Sequence, residues 1–295
     1  MLNIKNINTY FGKKKIIKDV SFKIEPGEIV GLVGSNGAGK TTIMKTILGL
    51  TKFTGEITFK DIPITENSHS GLQKVGALIE HPAVYPFFSG YENIRLYCDE
   101  EVEIIKLVEK LGMSSYIYDN VKNYSLGMKQ KLGIAMALIN NPDLVILDEP
   151  MNGLDIESTI LIRNIIKDYS TNGKAFLISS HILSELQKIM TNIILIEHGH
   201  IILNKPVDEF IDNSHVKLIT SDIKRTIDIF KAKGINFLLR DNYFVISTDD
   251  VILAQRILIG EEVYIIDLEK NDVNFEDKII ELISTKKGNE HGQLY

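Results

Sequence analysis

The chain has 295 residues, enough for one large domain or for a large and a small one. Hydrophobic residues make up 44% and charged residues 24%, a globular composition that excludes extended disorder. Lys plus Arg number 33 against 39 Asp plus Glu, and the net charge of −6 excludes the basic field that would draw the chain to nucleic acid or anionic lipid. The single cysteine, Cys98, permits no internal disulfide, suits a reducing compartment and reads as a small, partly buried side chain. Residues 1–5 lack the pattern of a secretory signal, and the apolar runs at 144–147 and 193–196 are far shorter than the ~20 residues that span a bilayer. Any membrane connection is therefore expected through another subunit.

Residues 2–30 alternate apolar and polar positions, with turn signals at 12–15 and 25–28, and predict two strands leading into a third, Ile29–Val33. Tyr10 and Phe11 precede the first turn, and position alone assigns both to the core, where strand aromatics usually pack. The third strand runs into Gly34, Ser35, Asn36, Gly37, Ala38, Gly39, Lys40, Thr41 and Thr42, followed by helical spacing over 42–48. Further strands are predicted at 55–60 and 75–80. A helical insertion spans about residues 86–141, with helical periodicity at 91–97, 101–111 and 126–139 and Ser125 placed to cap the last helix.

Residues 143–150 are a buried strand that ends in Asp148, Glu149 and Pro150. A helix over 158–169 follows, then a strand over 175–179 ending at Ser180 and His181. A hairpin over 192–204 turns at His198, Gly199 and His200, and a short helix covers 207–211. The two histidines have no further ligand cluster beside them and read as a plain turn. Residues 214–295 predict a small α+β domain without an active-site motif. Its pattern over 216–285 is strand, helix, hairpin at Asp241 and Asn242, helix, strand, helix, before a polar tail. Upstream, alternating strands and helices predict an α/β fold with a mainly parallel sheet.

The glycine-rich loop carries the clearest chemistry. A strand, two glycines flanking four residues, then Lys40 and Thr41 opening a helix, is the Walker A pattern of a phosphate-binding loop. Its backbone N–H groups cradle phosphates at the positive end of the helix dipole. Lys40 would reach the terminal phosphates, and the Thr41 hydroxyl would ligate a magnesium ion. Asp148 and Glu149 end a hydrophobic strand at the carboxyl edge, where open α/β sheets bind ligands. Pointing alternately, they suit two tasks: Asp148 holds the metal through water, and Glu149 accepts the proton of an attacking water. His181 could hydrogen-bond the γ-phosphate or that water from the neighbouring strand end.

With these motifs in this order, residues 1–213 resemble the nucleotide-binding subunit of an ATP-binding cassette (ABC) transporter. The resemblance implies a P-loop NTPase cassette with N-terminal antiparallel strands, ATP and magnesium as ligands, and ATP hydrolysis coupled to transport. Under it, residues 124–130 form the signature motif, residues 152–155 with Asp155 the D-loop, and His181 the switch histidine. Phe11 matches the adenine-stacking aromatic, with Tyr10 the runner-up. Ser125 and Gly127 are the phosphate-facing members of the signature. In the family they meet a partner's nucleotide, so a head-to-tail dimer of two copies with two composite sites is expected.

Two departures from the family pattern matter. Leu126 replaces the usual glycine and Met128 a common glutamine. Glu80 stands where the Q-loop glutamine belongs, beside the nucleotide, the magnesium ion and the permease contact. With Pro82 and residues 85–86 and 90–93, Glu80 is similar to the subgroup that exports bacitracin and lantibiotics. The resemblance implies a cytoplasmic ATPase, peripheral on the membrane, that drives integral membrane permeases to remove antimicrobial peptides, with no nucleic acid partner. Ribosome-acting members usually carry two cassettes and DNA-repair members a long coiled coil, so both readings are disfavoured; a sensor in a peptide-antibiotic signalling complex would share these motifs.

Overall fold

Leu2, Ile4, Ile7 and Thr9 are the buried members of β1 (Leu2–Phe11), which pairs antiparallel with β2 (Lys14–Ile24). The alternation breaks between Ile4 and Ile7, where Asn6 takes φ 51° and the register shifts, so an extra residue is absorbed without turning the apolar face to solvent. β3 (Ile29–Val33) is buried at every position, which is why it reads as a continuous apolar run. It leads through the glycine-rich loop into α1 (Lys40–Ile47). β4 (Phe53–Phe59) and the short β5 (Ile62–Pro63) complete an antiparallel sheet of order β2-β1-β4-β5.

β6 (Val75–Leu78) precedes the predicted helical insertion, which holds α2 (Gly90–Arg95), α3 (Glu101–Lys110) and α4 (Leu126–Leu138). A full capping box starts α2: the Ser89 side chain accepts from Glu92 N, and Glu92 accepts from Ser89 N. Then come β7 (Leu144–Asp148), α5 (Ile156–Thr171), β8 (Ala175–Ser179), α6 (Leu183–Gln187), β9 (Asn192–Glu197), β10 (His200–Pro206) and α7 (Val207–Phe210). The second sheet has the order β10-β9-β3-β8-β7-β6. All its pairings are parallel except that of β9 with the edge strand β10. The carboxyl ends of β3, β7, β8 and β9 therefore share one edge.

The computed structural model describes residues 1–180, 183–210 and 215–270, with Ile279 beyond them. It divides into Met1–Val207 and Asp208–Tyr295. In the second unit, β11 (His215–Thr220), α8 (Ile223–Lys233), β12 (Phe237–Arg240), β13 (Tyr243–Ser247), α9 (Val251–Gly260) and β14 (Ile265–Lys270) follow the expected pattern as far as β14. The helix expected after β14 lies outside the described residues. The sheet order β12-β13-β11-β14 is antiparallel throughout, a split βαβ arrangement. Its core gathers Phe230, Phe237 and Phe244 at centroid separations of 5.5–5.6 Å. Among the described residues no helix is long and apolar enough to cross a membrane.

Candidate active site

The loop after β3 is shaped by positions that tolerate no side chain. Gly39 has φ 114°, and a Cβ there would lie 2.6 Å from Ile17 Cδ1; a Cβ on Gly34 would run into the Ile196 carbonyl. Lys40 Nζ donates to the carbonyls of Gly34 at 2.8 Å and Ser35 at 3.1 Å, so its ammonium is held over the loop. Burial pushes the Lys40 pKa down from the usual lysine value, opposed by the charges of Glu149, Asp148 and Glu197. The loop fits an oligophosphate: it pairs a cradle of small residues with one ammonium whose burial is relieved by an anion.

Thr41, at the start of α1, donates to Asp148 Oδ2 at 2.8 Å, and Ser179 donates to Asp148 Oδ1. A threonine hydroxyl against a buried carboxylate is an oxygen donor set of the kind magnesium takes. Glu149 follows in a left-handed conformation, φ 53°, that swings it out of line with β7. Its N–H donates to the backbone and hydroxyl oxygens of Ser179 at 3.2 and 3.0 Å. Its carbonyl accepts from Gln130 of α4 at 3.1 Å, and its carboxylate accepts from Asn152 Nδ2 at 3.1 Å. The two acids thus have separate settings, one buried beside Thr41 and one turned outward with amide support.

Ser125 caps α4 as expected, accepting from Met128 N at 3.2 Å. Leu126 lies over Gly153, where an added Cβ would come within 2.5 Å of its Cδ2, and a Cβ on Gly127 would lie 2.8 Å from the Gly153 carbonyl. The start of α4 is thereby fitted to the turn before α5. Asp155 ends that turn and caps α5 by accepting from Ser158 N at 2.7 Å, which holds its carboxyl below the usual range. Glu80, at φ 61° beyond β6, pairs with Lys45 Nζ of α1 at 2.6 Å.

Tyr10 and Phe11 correct the expectation drawn from position: they are 44% and 59% exposed, not core. The end of β1 projects beyond its buried stretch, so both rings face solvent. His181 lies outside the described residues. Sequence reasoning also passed over Ser179, Glu197, Lys45 and the part played by Gln130. For Ser179 the available signal was its place at the polar end of a buried strand; in the sheet it stands opposite Asp148.

A P-loop at the carboxyl edge of a mainly parallel sheet, with a helical insertion and an acidic pair ending the next strand but one, defines a nucleotide-hydrolysing cassette. The family model "ABC transporter" matches residues 17–152. SrtF of Streptococcus pyogenes, a lantibiotic transport ATP-binding protein, is 42% identical over 213 residues, covering 70% of this chain and 92% of its own. BcrA of Enterococcus faecalis, a bacitracin transport ATP-binding protein, is 36% identical over 216 residues, 71% and 70% of the two chains. YdbJ of Bacillus subtilis, an uncharacterised ABC transporter ATP-binding protein, is 32% identical over 301 residues, 95% and 94%. Among solved structures, an ATP-binding subunit of an ABC transporter superposes with TM-score 0.67 at 26% identity, covering 71% and 91%. The chain belongs to the ABC transporter ATP-binding proteins, and it is an ATPase whose hydrolysis is coupled to transport.

Proposed function

We propose that this ATPase drives the export or removal of antimicrobial peptides of the lantibiotic or bacitracin type through separate membrane permeases. The observation that carries the substrate class is Glu80, an acid at the place of the family's glutamine, supported by the transport named for SrtF and BcrA. In this reading the protein sits on the cytoplasmic face of the membrane.

Residues 34–42 wrap the phosphates with their N–H groups, and Lys40 turns from the Gly34 and Ser35 carbonyls to the terminal phosphates. Thr41 and Asp148 would hold a magnesium ion, with Glu80 as a further candidate ligand, and the ion would supply positive charge to the transferred phosphoryl group. Glu149, directed by its left-handed backbone and Asn152, takes the proton of the attacking water. His181 contributes as the resemblance implies, and Phe11 stacks on the adenine. Ser125, Gly127 and Asp155 complete the site of a second copy packed head to tail. The exposed apolar Leu126 and Ile156 at the starts of α4 and α5 support that contact.

Glu149→Gln tests the chemistry: ATP should still bind, while hydrolysis falls about 10²- to 10⁴-fold. Near-normal turnover would remove Glu149 from the role of base. Purifying the chain from membranes tests the assembly, and recovery with ribosomes and no permease would defeat it.

A further inference from the structure

Glu197 ends β9 with its side chain only 7% exposed, and the motif chemistry gives it no task. Its Oε2 accepts from Ser35 Oγ at 2.8 Å, and its Oε1 lies 3.5 Å from His198 Nε2. Its charge is one of those acting on Lys40. The turn that follows is fastened to the same loop, because Gly199 N donates to the Ala38 carbonyl at 2.9 Å. A carboxylate so deeply placed is costly unless its acceptors are used and a cation is near. The loop supplies both, through Ser35 and Lys40. Through Ser35 the same charge adjoins the loop, residues 34–42, that would receive phosphate charge.

We propose that Glu197 is a positioning residue of the phosphate loop: it fixes Ser35 by a hydrogen bond and, through its charge, weakens the hold on the triphosphate. This rests on the reading of residues 34–42 as the phosphate cradle. Glu197→Gln keeps an oxygen acceptor for Ser35 and removes the charge; Glu197→Leu removes both. Two measurements on the full-length chain separate the roles: equilibrium binding of fluorescent ATP and ADP analogues, and thermal melting without nucleotide.

Glu197→Gln is expected to melt like the unsubstituted chain and to bind ATP about three- to tenfold tighter, with a smaller gain for ADP, because repulsion grows with ligand charge. Glu197→Leu is expected to melt lower or fail to fold. ATP affinity that is unchanged or weaker in Glu197→Gln, or an equal gain for ATP and ADP, would overturn the proposal. So would a Glu197→Leu chain that melts normally. If the unsubstituted chain bound neither nucleotide, the reading of the cradle itself would fail instead.

Discussion

Glu80 places a negative charge at the end of β6, and Lys45 on α1 answers it. Both side chains reach solvent, so the pair contributes at most about 1 kcal/mol, and its consequence is orientation more than stability. Glu80→Gln should therefore leave the melting midpoint and ATP affinity nearly unchanged while altering peptide resistance in cells; unchanged resistance would separate Glu80 from coupling. Lys40, Thr41 and Asp148 were legible in the sequence because their chemistry follows from short-range spacing. Lys45, Ser179 and Glu197 were not, since their partners are chosen by sheet order and by a backbone turn at Glu80. Tyr10 and Phe11 misled for a related reason: alternation tells which face a residue takes, and not where the sheet covering that face ends.

Among the elements, the joint between α4 and the segment after β6 leaves no room for a side chain at Gly133. A Cβ on Gly133 would lie 2.8 Å from Pro82 Cγ and 2.9 Å from Leu78 Cδ1, closer than real contacts allow. Gly133→Ala should push this segment away from α4, costing about 1–3 kcal/mol in denaturant unfolding and shifting Glu80 from Lys45. Asp155→Ala should lower the denaturant midpoint through the lost cap of α5. That cap also explains why α5 begins at Ile156, earlier than its apolar period suggests; α6 and β5 are too short to show any period.

The helical insertion carries a pH signature. Burial raises Tyr116 and Tyr124 from 10.0 to about 12, with the Tyr124 hydroxyl donating to the Tyr116 carbonyl at 2.7 Å. Below pH 10 both phenols are protonated, folded or unfolded, and contribute no slope. Between about pH 10 and 12 the unfolded chain loses these protons first, so stability should fall as pH rises. Denaturant midpoints measured across this range, with ultraviolet titration of tyrosinate, would check it; a flat profile would contradict the burial of these rings.

For the whole molecule, alternation of strands and helices was enough to predict a mainly parallel sheet and a smaller α+β domain, because each period is local. Strand order was not, because it depends on which crossovers let the faces be covered. The second unit has its own buried cluster around Leu218, Phe230, Phe244 and Leu258. A chain ending at Val207 should accordingly fold and bind ATP within about threefold of full length, as nucleotide titration would show. Loss of binding would mean the second unit supports the site.

The hydrogen bond from Gly199 to Ala38, together with that from Lys18 N to the Gly199 carbonyl, has a temporal consequence. A chain emerging from the ribosome carries the loop, the acidic pair and the signature long before β9 is made. The contacts of Lys18 and Ala38 with Gly199 can form only once that turn has left the exit tunnel. These two fastenings of the loop and of β2 to the Gly199 turn therefore form late in synthesis, after most of the first unit has been made.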